Sequence, residues 1–188
     1  MADGTIEQIY PYVVPKSWVD HTTPDSLISW QVGRDVFIIL VFDGQGSVRN
    51  VRPEDLGALG LDEGSAFEQA AQNLARAWQE QQFEFGAATL IDGTVIGCSR
   101  GNWMAPAGGL LLGNFHESLA AQFGQTELAA IAVNQDCLFA FPTDPKTLQS
   151  ESLRIAINDE FSGHRKPISK TWLLLNGQWP QDHPLQSS

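Results

Sequence analysis

FGQTELAAIAVNQDCLFAFP, residues 123–142, decides how the chain is read. Two apolar runs, Leu128–Val133 and Cys137–Phe141, flank the polar break Asn134-Gln135-Asp136. Neither run alternates apolar with polar, so both read as strands buried on two faces, with the break as their hairpin turn. The competing reading, an active-site loop holding Asp136 beside the Cys137 thiol, needs catalytic partners elsewhere in the chain.

Working outward, the same grammar repeats. Leu27–Val32 and Val36–Phe42 surround the turn Val32-Gly33-Arg34-Asp35, and Asp43–Gly46 returns the chain into Ser47–Val51. Asp92-Gly93 is a strong turn dipeptide between two further runs, and Asn176-Gly177 marks another turn near the end. Between the hairpins lie helices. Ser65 and Glu68 have capping-box spacing, with Asp62 as the alternative cap. Phe67, Ala70, Ala71, Leu74 and Trp78 fall on one face of the helix that follows, while Glu68, Gln72, Asn73, Arg76 and Gln79 lie away from it. A second helix is predicted over 113–123, with Leu112, Phe115, Leu119 and Phe123 inward and Gly124 as its stop. Asp144-Pro145 opens a third. Helices interleaved with hairpins predict an α+β fold, a mostly antiparallel sheet of several hairpins with two or three helices packed on it. Residues 1–27, which contain Pro11, Pro15 and Pro24, are expected to form an extended arm over the surface. Residues 28–180 are expected to form a single domain, and 181–188 a frayed tail.

The segment RPEDLGALGLDEGSAFEQAAQNLARAW, residues 52–78, resembles the YtpQ-like family of uncharacterised bacterial proteins. The likeness runs through Pro53-Glu54-Asp55-Leu56 and Leu59-Gly60-Leu61 into a helix closing on Asn73-Leu74. It continues through GGLLLGNFHESLAAQFGQTELAAIAVNQDCLFAFP and KPISKTWLLLNGQW, spanning residues 36–179 with gaps. The turn between the central strands departs from the family's proline, serine, arginine, aspartate pattern. It reads Val133-Asn134-Gln135-Asp136, which keeps the aspartate and loses the arginine. The resemblance implies an α+β fold and no settled activity.

The 188 residues carry 22 acidic against 11 basic side chains, a net charge of −11. Nucleic acid and anionic membrane surfaces are therefore not expected as partners, because phosphate binding requires clustered Lys and Arg. Acidic residues crowd residues 54–92: Glu54, Asp55, Asp62, Glu63, Glu68, Glu80, Glu84 and Asp92, against Arg76 alone. Positive charge gathers late, at Arg165, Lys166 and Lys170. The start MADGTIEQIYPYVV has no basic, apolar leader pattern, and no run approaches the ~18 apolar residues of a membrane helix. A cytoplasmic location is expected.

Chemistry-bearing motifs are sparse. His21, His116, His164 and His183 have no ligand-spaced partners, and Cys98 and Cys137 form no CxxC, so neither a metal nor a cofactor is expected. Gly108-Gly109 before a helix offers an anion site at a helix start, or simply a turn. Cys98-Ser99-Arg100 at a strand end, with His116 as base, is a conceivable nucleophilic pair, though no GxSxG elbow accompanies it. The opening stretch therefore reads as a core hairpin. Binding is the better expectation than catalysis: docking or neutralising a basic protein, most concretely as an immunity protein against a secreted toxin. Glu54, Asp55, Asp62 and Glu63 would steer the partner, and Trp103 would anchor it. The alternatives are a cysteine-dependent hydrolase or transferase using Cys98 and His116, and a structural homo-oligomeric subunit, such as a homodimer, with no small ligand.

Overall fold

A computed structural model describes residues 4–23, 26–44 and 46–187. Among them are seven α-helices and ten strands, and every strand pairing is antiparallel, an α+β fold. Three helices exceed ten residues; the other four are single turns or little more. The strands divide between two sheets rather than one.

The first sheet uses β1 (Ile9–Pro15), β2 (Ser29–Gly33), β3 (Val36–Gly44) and β4 (Ser47–Asn50), with α1 (Lys16–Asp20) after β1. β3 is its centre. β1 runs along one edge of β3, Ile9 opposite Phe42 and Pro15 opposite Val36. β2 and β4 share the other edge end to end, stitched where Leu40 N–H donates to Ile28 O and Val51 N–H to Leu40 O. The expected surface arm over 1–27 is thus corrected: six of the seven β1 residues are buried. Its prolines are tolerated because β1 is an edge strand, where a missing N–H breaks no ladder on the open side.

α2 (Pro53–Leu59) and α3 (Glu63–Gln79) cross this sheet. Asp62 caps α3, its carboxylate accepting Ser65 N–H at 2.7 Å, and Ala66, Ala70, Leu74 and Ala77 face inward. Asn73, expected on the outer side, is instead 1% exposed. Its amide donates to Ile6 O at 2.8 Å and Ile9 O at 2.9 Å, supplying partners to carbonyls at the entry of β1.

The second half supplies β5 (Glu84–Thr89), β6 (Val95–Arg100), α4 (Ala105–Leu111), α5 (Gly113–Phe123), β7 (Leu128–Asn134), β8 (Cys137–Pro142), α6 (Pro145–Leu148), α7 (Glu151–Gly163), β9 (Leu173–Leu175) and β10 (Gln181–Asp182). Their sheet has the order β10-β9-β7-β8-β6-β5. The hairpin read from 123–142 is its centre, and every residue of β7 and β8 is buried. Gly108 and Gly109 are not a break before a helix but lie inside α4. A Cβ on Gly108 would sit 2.2 Å from the Phe83 ring, and one on Gly109 2.9 Å from Leu138. Close approach to the sheet, not anion binding, selects these glycines. The tail is also more ordered than expected, since β10 pairs with β9 and His183 is buried.

Three apolar cores result. The main one fills the space between the sheets and takes in Ile38, Leu74, Phe115 and Leu138. A second lies under α7 on the far face of the six-stranded sheet, with Ile131, Phe139, Leu153 and Ile157. A third packs α2 and the start of α3 on the first sheet through Ile9, Leu40, Leu56 and Ala70.

Candidate functional site

Strand alternation places Tyr12 and its cross-strand neighbour Ile39 on the same face of the first sheet. The segment 165–168 approaches this region from the other sheet. It is held there because Pro167 bridges to Asn134, Ile168 N–H donates to Val133 O at 3.0 Å, and Gln135 N–H donates to Lys166 O at 3.2 Å. Ser169 Oγ ties the same segment to Asp35 at the β2–β3 turn, 2.9 Å from each carboxylate oxygen. Between these parts lies a groove of about 460 Å³, within the size range of small-ligand sites.

Its apolar surface comes from Ile39, Val41 and Val48. Aromatic rings form a wall: the Tyr12 and Trp103 centroids are 5.5 Å apart, and Trp18 stands 42% exposed at one end. The Lys166 ammonium sits 3.6 Å above the Trp103 ring, a cation–π contact, with Arg165 beside it on the lip. Tyr12 donates its hydroxyl to Asp43 at 2.5 Å. Burial, reinforced by that bond and by the Asp43 charge, pushes the Tyr12 phenol far above its ordinary value, so it remains protonated. Gln135 Oε1 is buried along the lining without a hydrogen-bond partner among the described residues.

The lining contains no carboxylate, histidine or cysteine, although the chain as a whole carries twice as many acids as bases. Such a site can hold an apolar body and an anionic head. A larger depression of about 760 Å³ borders Trp78, Gln82, Phe85 and Arg100, but its cation is already committed, Arg100 pairing with Glu160 at 2.6 Å.

The residues singled out from sequence do not converge. Asp55 is 8% exposed, accepts from Arg49 at 2.7 and 3.1 Å, and accepts Arg52 N–H at the start of α2. The Arg49 hydrogen bonds hold its carboxyl below the ordinary carboxylate value. Glu54 pairs with Arg52 at 3.4 Å, and Asp62 is spent as the cap of α3. Glu63 is exposed and borders a surface depression with Pro53 and Asp20. Trp103 belongs to the groove, in the company of Tyr12 and Lys166.

The nucleophilic pair is corrected outright. Gly97 abuts Leu119 of α5, so the face of β6 holding Gly97 and Ser99 looks toward α4 and α5. Cys98 points the other way, into the core under α7. His116 lies on α5, its Nε2 2.8 Å from Thr126 O. Thiol and imidazole are therefore on opposite sides of the sheet. Burial raises the Cys98 thiol above its ordinary value and pushes Cys137 up to about 12, which makes both poor nucleophiles.

Among the described residues no three His, Cys, Asp or Glu side chains gather as a metal site, and no helix is long and apolar enough to cross a membrane. Sequence reasoning noted the late Arg165-Lys166 pair but did not connect it with Tyr12, Val41 or Trp103. No family model, curated protein or solved structure matches the chain.

Proposed function

We propose that the chain is a non-enzymatic cytoplasmic binding protein whose working site is the groove, and that its ligand is an amphipathic anion. The apolar body rests on Ile39, Val41 and Val48 against the Tyr12–Trp103 wall, and the anionic head meets Arg165 and Lys166. One observation carries this reading: a pocket with two cations and no acid in a chain of net charge −11. Gln135 Oε1 adds an acceptor for a hydroxyl or amide on the ligand. The test is titration with 8-anilinonaphthalene-1-sulfonate, itself an apolar body with an anionic head. Saturable binding that weakens in Arg165→Ala and with added salt is expected. Absence of saturable binding, or indifference to Arg165→Ala, refutes the assignment.

A second reading keeps the acidic surface as the dock for a basic protein, such as a secreted toxin neutralised by this chain. The charge excess and the exposed Glu63 favour it. The expected result is capture of one stoichiometric basic protein from the host lysate, lost as salt rises and lost in Glu63→Lys. An empty capture at low salt counts against it.

A further inference from the structure

The outer strands of the two sheets are not equally protected. β1 carries Pro11 and Pro15, and the carbonyl of Ile9 is occupied by Asn73. β10 has two residues and lies against the first sheet, where Asp182 accepts Arg34 N–H at 2.8 Å. β4 has four residues. β5 has none of these protections. It pairs over six residues with β6, without a bulge, and contains no proline and no charge after Glu84. Glu84, Gly86, Ala87 and Thr89 are all exposed. Ile91, just beyond the strand, is 103% exposed.

The hydrogen-bond phase of this edge is determined. Leu90 N–H donates to Thr94 O at 2.8 Å, so by the antiparallel alternation Ala88, Gly86 and Glu84 bond inward to β6. The far edge of β6 agrees: Gly101 N–H donates to Asp136 O, which leaves Ser99 and Gly97 to bond β8, and Arg100, Cys98 and Ile96 to bond β5. Phe85, Ala87 and Thr89 therefore direct their N–H and C=O groups away from the sheet, and among the described residues no backbone partner meets them.

Those three residues define a two-fold. With the axis at Ala87, Phe85 of one copy faces Thr89 of the other, and Ala87 faces itself. Each outward donor then meets an outward acceptor, about six hydrogen bonds in all. In the same register Gly86 faces Ala88 and Glu84 faces Leu90. No like charges oppose one another, despite a net charge of −11. The small residues at the axis, Gly86, Ala87 and Ala88, leave the close approach unobstructed.

From this edge we infer that the protein forms a two-fold dimer by antiparallel pairing of β5 with β5 of a second copy, making one continuous sheet across both chains. The occupant is a second copy because the outward groups, the charges and the bulk all match under a single two-fold, as an isologous contact requires. The inference is independent of the groove, whose lining includes no residue of β5.

Sedimentation equilibrium of the full chain across micromolar concentrations tests it. Wild type should show a monomer–dimer equilibrium. Ala87→Lys places two ammonium groups on the axis and should weaken association by about tenfold or more while leaving the melting curve in place. Ala87→Cys should cross-link rapidly to a disulfide dimer in oxidised glutathione, since directly opposed residues of a bonded pair are spaced at about 5.5 Å, within disulfide range. This second variant keeps the test decisive if the lysine variant folds poorly. Monomeric wild type at all concentrations, an undiminished Ala87→Lys dimer, or failure of Ala87→Cys to cross-link would each overturn the proposal.

Discussion

On the surface formed by α2 and α3, three carboxylates are tied down: Asp55 grips Arg49, Asp62 caps a helix, and Glu54 reaches Arg52. At the lip of the groove the arrangement is reversed. Lys166 lies over an aromatic ring, and Arg165 makes no ion pair among the described residues. These three carboxylates build the fold, whereas the two cations at the lip make no ion pair among the described residues. Net charge alone is thus a poor guide to where a protein binds, because it counts neutralised and free groups alike.

The comparison breaks most visibly at Asp55. Replacing it with alanine removes the Arg49 bonds and the acceptor for Arg52 N–H together, and about 2–3 kcal/mol of stability should be lost in urea titration. Groove binding by the protein that remains folded should be unchanged. The same contact has a pH signature. Because the folded carboxyl lies below its ordinary value of 3.8, its contribution is present above that pH and is lost as pH falls through the lowered value. The stability gap between wild type and Asp55→Asn should therefore narrow in acid.

Arg165→Ala should behave in the opposite way. A tenfold loss of anilinonaphthalene sulfonate affinity, about 1.4 kcal/mol, is expected, with the urea midpoint held in place. A shift of midpoint comparable to that of Asp55→Ala would show that the lip is structural after all. The smallest effect is expected at Glu63. It is exposed, and Glu63→Lys should change stability by no more than about 0.5 kcal/mol and leave groove binding unaltered.

Much of the fold was legible wherever local chemistry and tertiary packing agree. The apolar runs around Asn134-Gln135-Asp136, the Asp92-Gly93 turn and the Asp62 cap are such places. β1 was misread because Pro11 and Pro15 argue against regular structure in general but not against an edge strand. α4 was missed because Gly108 and Gly109 have poor helix propensity, and only the pressure of Phe83 and Leu138 explains them. Asn73 falls on the polar side of the helical pattern, yet the carbonyls it serves belong to a segment more than sixty positions away. The groove was illegible for the same reason on a larger scale. Tyr12, Val41, Trp103, Gln135 and Arg165 come from five separate stretches, and no spacing rule links them.

The narrow β9 strand has a consequence for the history of each molecule. β7 reads LAAIAVN and carries no charge, and its outer edge is covered by Leu173–Leu175 at one end and by Pro167, Ile168 and Ser169 at the other. All of this cover comes from residues after 166, more than thirty positions beyond the strand it protects, whereas the first sheet is complete by Asn50. During synthesis, or after a transient release of the last strands, an apolar template long enough to recruit a neighbouring chain stands open. Three leucines and the 167–169 segment thus act as the latch on an edge that would otherwise invite aggregation.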